Sequence, residues 1–502
     1  MRITNKMMTN NMLHNINVNK NNMSNLENKY SSGMEIQKPS DDPIVAVRAL
    51  KLRTNLSELN QYYQKNIPDA MSWMEVTESA LKNTSEIITK IHTYCTQGAN
   101  DTLTVDERSS IVQNLRELKN QIYQEGNSNY AGRYLFTGFK TGTSLVFENA
   151  EKDLEYSITE EINSSQLSIT NKIVNSVDVD NFDPDKTPKS QQVYRIRLSY
   201  DNLEAGQVAN IGLKIPMKDS AGNTVKDDSG KIQYMTQPLG NVLGMTSSDD
   251  KAYDPADGSV NFLTDTGELI LSESQYNTYK QYIESNDNKL TITYDKKGFE
   301  KNELRPEHYF TCEDKTNGIS YEKEDQEITY EVNFNQRLAI NIQAENAFRP
   351  SLGRAIEDII SAVSDVEAVN EKIANIEKKL KDENLTPAQS DTLNKTLNVL
   401  KKELSLKDSL MREAYGKCLT AMDEEENVVN AATSDIGTRY NRLELTQDRL
   451  STQQVEFTDL LSQNEDADLV DTIVNYNAAN TVYSASLQAA GKVVKNTLLD
   501  FI

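Results

Sequence analysis

Apolar and small side chains recur at alternating steps of three and four between residues 49 and 98. They are Ala49, Leu52, Leu56, Leu59, Tyr63, Asn66, Ala70, Trp73, Thr77, Ala80, Thr84, Ile87, Ile91, Tyr94 and Gly98. A 3.5-residue repeat of this kind marks a helix that supercoils against a partner. At ~1.5 Å per residue it would be roughly 75 Å long, so its seam needs an equally long partner. The chain offers one far downstream, where steps of seven from Tyr415 reach Met422, Val429, Ile436, Leu443, Leu450 and Phe457. Between those positions Cys418, Ala432 and Leu460 suit a core, whereas Glu425, Arg439, Thr446 and Gln453 do not. The pattern predicts a mainly α fold: a long antiparallel, coiled-coil-like rod made by the two halves of the chain. Its seam comprises Leu52, Leu56, Leu59, Trp73, Ile87 and Ile91 on one side, and Met422, Val429, Ile436, Leu443, Leu450 and Phe457 on the other. Pro68 falls inside the first helix and has to kink or divide it, because proline removes a backbone bond and clashes with the preceding turn.

The extreme ends carry further helical patterns. Within the Asn-rich residues 1–38, Met8, Met12, Ile16, Asn19, Met23, Leu26 and Tyr30 share one face. Asn is a poor helix former, so two readings stand: an amphipathic helix that forms against a partner, and a disordered tail. Near the other end Leu469, Ile473, Tyr476, Asn480, Tyr483, Leu487, Ala490, Val494, Leu498 and Phe501 follow a near-heptad spacing, with Leu499 beside them. Small neighbours such as Ala478, Ala485, Ala489 and Gly491 suit close crowding of helices; an ordinary docking helix is the plainer alternative. Ser31-Ser-Gly33 ends the first helix, and Gln37-Lys-Pro-Ser-Asp-Asp-Pro43 is a rigid turn in which Ser40, Asp41 or Asp42 caps the next helix. Paired carboxylates at Asp41 and Asp42 also allow metal or acid–base chemistry, but at a helix N-terminus they serve as caps.

The texture changes in the middle. After a capping box at Thr104-Val-Asp-Glu107, a helix carries Ile111, Leu115, Leu118 and Ile122, and Tyr130–Gly138 reads as a hairpin-like return. From about 140 to 346, alternating runs such as 194–200, 211–215, 290–294 and 328–334 predict one or two small β-rich domains, projecting sideways from the rod. Helices resume near Pro350, with a helical hairpin over 367–412 broken around Thr386 and Pro387. The expected division is therefore 1–43 with 465–502 as terminal helices, 44–139 with 347–464 as the rod, and 140–346 as the insertion.

Composition narrows the function. A hydrophobic fraction of 37% with 26% charged residues fits an elongated helical protein with little core. A net charge of −23 argues against nucleic acid, which needs clustered Lys and Arg. No run approaches the ~18 apolar residues of a membrane span, and the N-terminus lacks the pattern of a cleaved secretion signal. Cys95, Cys312 and Cys418 form no CxxC; in an antiparallel rod Cys95 and Cys418 approach each other, and buried free thiols, the commoner state, are favoured over a disulfide. His14, His92 and His308 sit in no HExxH, and neither GxxxxGK[ST] nor GxGxxG occurs. The run Asp178–Asp185 is acidic enough for calcium but lacks an EF-hand's Gly and closing Glu, which favours a solvated loop. Nothing suggests catalysis or a cofactor.

Paired helical ends with a β-rich middle resemble the bacterial flagellin family. Ser31-Ser-Gly-Met-Glu-Ile-Gln-Lys-Pro-Ser-Asp-Asp-Pro43 is similar to that family's N-terminal signature, with Ser32, Gly33, Pro39, Ser40, Asp41, Asp42 and Pro43 forming its turn. Asn129-Tyr-Ala-Gly-Arg-Tyr-Leu-Phe-Thr-Gly138, Ile436-Gly-Thr-Arg-Tyr-Asn-Arg-Leu-Glu444, Ser486-Leu-Gln-Ala-Ala-Gly-Lys492 and Leu498-Leu-Asp-Phe-Ile502 add to the likeness, which covers about 1–140 and 415–502. The prolines at 39 and 43, where a filament subunit would be alanine-rich, point to a junction subunit of the family. The resemblance implies a non-enzymatic, secreted component of the flagellum at the hook–filament junction, exported unfolded without a cleaved signal. It implies as partners a ring of its own copies, the neighbouring hook-associated junction protein, flagellin, and a cytoplasmic export chaperone. It also assigns assembly contacts to Met8, Met12, Ile16, Met23, Leu26, Leu469, Ile473, Tyr483, Leu487, Val494, Leu498, Leu499 and Phe501. The filament subunit itself is the closest alternative; a cytoplasmic coiled-coil scaffold and a filament-borne enzyme are more distant ones.

Overall fold

The computed structural model describes residues 5–100, 103–183, 186–204, 206–219, 224–226, 231–249, 251–284, 289–381 and 386–499. Its helices are α1 (Asn5–Ser32), α2 (Pro43–Gln61), α3 (Ile67–Gly98), α4 (Val105–Glu125), α5 (Glu273–Glu284), α6 (Pro350–Lys379), α7 (Pro387–Glu465) and α8 (Leu469–Leu499), with strands between α4 and α6. The chain divides into two compact units. One holds Met1–Met71, Tyr330–Leu338 and Asn441–Ile502; the other holds Ser72–Thr329 and Ala339–Tyr440.

The first long helix is divided at its proline. Residues Tyr62–Asn66 form a π turn, in which the Ile67 N–H donates to Tyr62 O, five residues back. Pro68 follows at once; lacking an N–H and crowding the carbonyl four residues earlier, it is absorbed by the wider turn, and helical backbone continues on both sides. At the other end of the chain α7 is unbroken for 79 residues. The second arm of the expected 367–412 hairpin and the later rod helix are therefore one helix, and the first arm is the end of α6. Thr386 starts α7: the Gln389 N–H donates to its hydroxyl, while the Gln389 side chain accepts from its N–H and hydroxyl.

In the larger unit α3 and α7 run antiparallel. Tyr440 donates to Glu75 at 2.8 Å, His92 lies 3.6 Å from Asp423, and Cys95 lies 3.5 Å from Cys418, so each step along one helix is matched by a step back along the other. Trp73, Ile87 and Ile91 of α3 are buried, as are Met422, Val429 and Ile436 of α7. A second stripe, Met74, Leu81, Ile88 and Cys95, is equally buried. A two-helix seam leaves that face open; here α3 has a second neighbour, since Asn83 donates to Glu125 of α4. Glu425, which sequence reasoning set outside the core, is only 4% exposed and takes a 2.6 Å hydrogen bond from Ser351 of α6. Thr446, in the other unit, is also buried, with its hydroxyl satisfied by Arg442 O of its own helix.

The β-rich region of this unit is a two-sheet arrangement with one shared core. The six-stranded sheet places Glu151–Ile162 and Lys289–Phe299 centrally, between Thr311–Asp314 and Asn210–Pro216, with Ile319–Tyr321 and Tyr234–Pro238 at its edges. The five-stranded sheet runs Leu167–Val174, Lys189–Arg197, Glu268–Leu271, Ser259–Leu263, Asn241–Met245, the last pair being parallel. Ile158, Ile162, Ile196, Phe262, Leu269, Ile292 and Tyr294 form the core, with Tyr276 and Tyr279 of α5 packed into it. Glu160 faces this core too, where burial pushes its carboxyl up; Tyr294 and the Ser199 hydroxyl and N–H donate to it.

These strands are fixed to α6 by buried charges. Arg195 and Arg197 both pair with Glu268 and with Asp358 of α6. Arg354 of α6 reaches back to Asp201 at 2.5 Å and to Thr266 O, while also holding Glu357. Burial opposes ionisation of Glu268, but Lys172, Arg195 and Arg197 outweigh it and hold its carboxyl down at about 2. Burial likewise opposes ionisation of Asp358, and Arg197 and Arg195 again prevail, holding it below the usual range. A depressed folded pKa contributes stability that is present above the unfolded value and lost as pH falls toward the folded one. The unit is therefore expected to lose stability between about pH 4.5 and 2, by roughly 3 kcal/mol from Glu268 alone. Thermal unfolding followed across that window checks this; a melting temperature flat to pH 2.5 contradicts it.

Candidate assembly surface at the chain ends

The smaller unit gathers both ends of the chain. Its connector between α1 and α2 is built from the Ser31–Pro43 sequence. Gly33 takes φ +70°, which ends α1. Gln37 donates through its amide to Asn28 O and the Ser32 hydroxyl, and the Asp41 carboxylate receives the Lys38 N–H at 2.9 Å. Asp42 caps α2, accepting from the Ile44 and Val45 N–H groups, with Pro43 at the first helical position. Thus the paired carboxylates are engaged by backbone N–H groups. Pro39 and Ser40 lie in the turn itself, exposed.

A second connector, between α7 and α8, lies against the first. The Glu35 N–H donates to Glu465 O at 2.7 Å, and the Ala467 N–H donates to Gly33 O at 2.9 Å. Arg53 closes the arrangement with a 2.6 Å ion pair to Glu465. Asp468 then caps α8, accepting from the Val470 and Asp471 N–H groups. These bonds fix where α1 ends and α8 begins, and the two helices run antiparallel; Asn19 donates to the Ser486 hydroxyl at 3.0 Å midway along them. Beside them, Ala46, Ala49 and Leu59 of α2 and Leu443 and Leu450 of α7 are buried, while Leu52, Leu56 and Phe457 are half-buried and Leu460 is exposed.

The terminal pair covers only part of its apolar surface. On α1 Met12, Ile16, Asn19, Met23 and Leu26 are half-buried at heptad spacing facing α8, as are Thr9 and Lys29. On α8 the covered stripe is Thr472, Tyr476, Ala479, Tyr483, Ser486 and Ala490, set partly beside the one drawn from sequence. Leu469, Ile473 and Leu487 are exposed, as are Val470, Val474 and Val482. Met8 is exposed on α1 together with Met7, Leu13 and Val18. Val494, Leu498 and Leu499 belong to α8, but their side chains lie outside the described residues, as does Phe501. The sequence pattern put one stripe on each helix; the structure puts two, one satisfied within the chain and one open. Ala479, Ser486 and Ala490 in the covered stripe let α1 approach, whereas Ala478, Ala485 and Ala489, the small residues singled out from the sequence, are exposed.

Matches to known proteins fall on these same segments. Residues 3–141 match the bacterial flagellin N-terminal helical region, and residues 419–502 match the bacterial flagellin C-terminal helical region. Both ends of this chain are thus similar to the helical regions of bacterial flagellin. A flagellin of Clostridium tyrobutyricum is 34% identical over 143 residues, 28% of this chain and 38% of that one. Flagellar hook-associated protein 3 of Salmonella typhimurium is 28% identical over 173 residues, 34% of this chain and 54% of that one. The chain thus spans between a third and about half of the lengths of these curated relatives. A solved structure of flagellar hook-associated protein 3 from Legionella pneumophila, 11% identical, covers 82% of this chain and 97% of its own, with a TM-score of 0.30, too low to speak for a shared fold. The residues between the two flagellin-type regions, which hold the two sheets, lie outside both family matches.

Other candidate chemistry resolves into structure. The Asp178 carboxylate receives the Asp180 N–H and the Asn181 amide within its own loop, and Asp185 lies outside the described residues. Among the described residues no cluster of three or more His, Cys, Asp or Glu side chains has the arrangement to hold a metal, and no helix is long and apolar enough to cross a membrane. His308 is half-buried with Nε2 3.0 Å from Ser144 O, and burial lowers its pKa to about 4.

Proposed function

We propose that this chain is a structural, non-enzymatic subunit of the bacterial flagellum that joins hook-associated protein to flagellin filament by packing its terminal helices against copies and neighbours. The observation that carries this reading is the open apolar stripe of Leu469, Ile473, Val482 and Leu487 beside exposed Met7, Met8 and Leu13. Exposed stripes on paired helices have a physical use when further helices cover them, and burying them offsets the entropy of ordering the ends. The position at the junction is supported by the Pro39–Pro43 turn and by the match to hook-associated protein 3, which covers more of that relative than the flagellin match does of its own. The partners in this reading are a ring of the same chain, a hook-associated neighbour, flagellin, and a cytoplasmic chaperone that covers the α8 stripe before export without a cleaved signal. The assembled location is the outside of the cell.

Deleting the gene should leave hooks without filaments while flagellin accumulates in the medium. Loss of the filament protein itself from both places would make this chain the filament subunit instead. A sharper test replaces Leu469, Ile473 and Leu487 with Ser together. The purified variant should keep its melting temperature, because these side chains are exposed in the monomer, and motility should fall at least tenfold. Normal filaments on cells carrying it would remove the stripe from the assembly contacts.

A further inference from the structure

The larger unit contains a feature that assembly does not use. Cys95 of α3 and Cys418 of α7 are 0% and 1% exposed, with their sulfurs 3.5 Å apart across the antiparallel pair. Helices packed with axes about 8–10 Å apart bring facing side chains into contact, and here the facing pair is two thiols. Gly98 lies three residues beyond Cys95. A Cβ at that position would stand 2.4 Å from the Tyr415 ring, three residues before Cys418, so the missing side chain leaves room for the ring beside the thiols.

We propose that Cys95 and Cys418 are a paired thiol site that closes to a disulfide, covalently joining α3 to α7. The sulfurs need to close from 3.5 Å to the ~2.05 Å of a bond, a movement within reach of side-chain rotation. The oxidant is a low-molecular-weight disulfide. One cysteine, as thiolate, attacks it and releases one small thiol; the second then displaces the other small thiol and completes the protein's S–S bond. Two protons and two electrons pass from the cysteines to the oxidant, which leaves as two thiols. Cys418 lines a cleft of about 640 Å³ between the strands and the helices, which gives a small oxidant its approach. The exchange is slow: the hydrogen bond with Cys95, and then burial, hold the Cys418 thiol above its ordinary range. Cys312 is buried in the core shared by the two sheets and has no part in the bond.

The bond would close a loop between residues 323 apart, and a link across so long a loop removes much unfolded-state freedom. It would also block passage of an extended chain through a narrow channel, so in an exported flagellar subunit it forms after export. The test uses the full chain carrying Cys312→Ser, unfolded under reducing conditions and refolded in oxidised glutathione, where burial cannot shield the thiols. The native chain is incubated with oxidised glutathione in parallel. Unreduced digests should contain a peptide linking Cys95 to Cys418, the intact chain should be 2 Da lighter, and the melting temperature should rise by on the order of 5 °C, reversibly with dithiothreitol. Cys95→Ser and Cys418→Ser should each abolish all three changes. Two free thiols after oxidative refolding, or glutathione mixed disulfides that never resolve, would overturn the proposal. Filament formation, measured separately on the Cys95→Ser chain, tests the assembly reading without bearing on the bond.

Discussion

Leu443→Asp should unfold the smaller unit. Leu443 is fully buried in α7, so an aspartate there loses the transfer energy of the leucine and puts an unpaired carboxylate into an apolar site. Together these are on the order of 4–5 kcal/mol or more, a large share of the stability of an ordinary domain. Aspartate at Leu445, two residues along the same helix and 72% exposed, should be nearly silent. The comparison holds helix propensity and added charge constant and changes only the face. Circular dichroism at 222 nm during heating should show an early, separate loss of helix for Leu443→Asp and a curve close to the parent for Leu445→Asp. Equal melting of the two variants would show that the seam does not run through Leu443.

That pair of positions also shows what was legible in the sequence. Heptad periodicity identified Leu443 as inward because a helix repeats its faces regardless of what covers them. The same rule found Trp73, Ile87, Ile91, Met422, Val429 and Ile436, all buried. It missed Met74, Leu81 and Ile88, since a search for one stripe stops at one stripe, and on α3 a second face is covered as well. Glu425 was set outside for a sound reason, that a lone carboxylate does not belong in a seam. Ser351 is the compensation, and it lies 74 residues away on another helix. Long-range hydrogen-bond partners have no local signal.

The two-sheet region was harder to read. Glu151–Ile162 is a central strand of its sheet, yet six of its twelve residues are charged. Its inward positions include Glu160, whose burial depends on donors from Ser199 and Tyr294. Conversely, Asp42 was read correctly as a cap, because a cap bonds to backbone within a few positions, whereas Asp41, also expected to cap, accepts instead from the Lys38 N–H of the turn before it. The terminal stripes sit between these cases. Spacing alone gave an apolar face on α8, but which half of it is met inside the chain depends on where α1 lies.

Arg354→Ala should be the most damaging change outside the helical seams. The guanidinium is 6% exposed and serves three groups at once: Asp201, Glu357 and the Thr266 carbonyl. Burial opposes its charge, but Glu357, Asp201 and Asp358 more than restore it, so it is a permanent cation among carboxylates. Removing one partner of a buried ion pair costs about 3–5 kcal/mol, because the other charges stay behind without compensation. Here Glu357 keeps Lys119, whereas Asp201 loses its guanidinium partner, so the damage should concentrate where the sheets meet α6. Arg354→Lys should recover little, since a point-charge ammonium cannot reproduce the fork that reaches a carboxylate and a carbonyl together. In a cycle with Asp201→Asn, the double variant should be less destabilised than the sum of the singles by about 1–3 kcal/mol. Hydrogen exchange read by peptide is the measurement: faster exchange in residues 195–201 and 264–271 with α3 unchanged would place the loss at that contact. Uniform acceleration across α3 and α7 as well would mean that Arg354 supports the whole unit, and that the strands and helices fold as one.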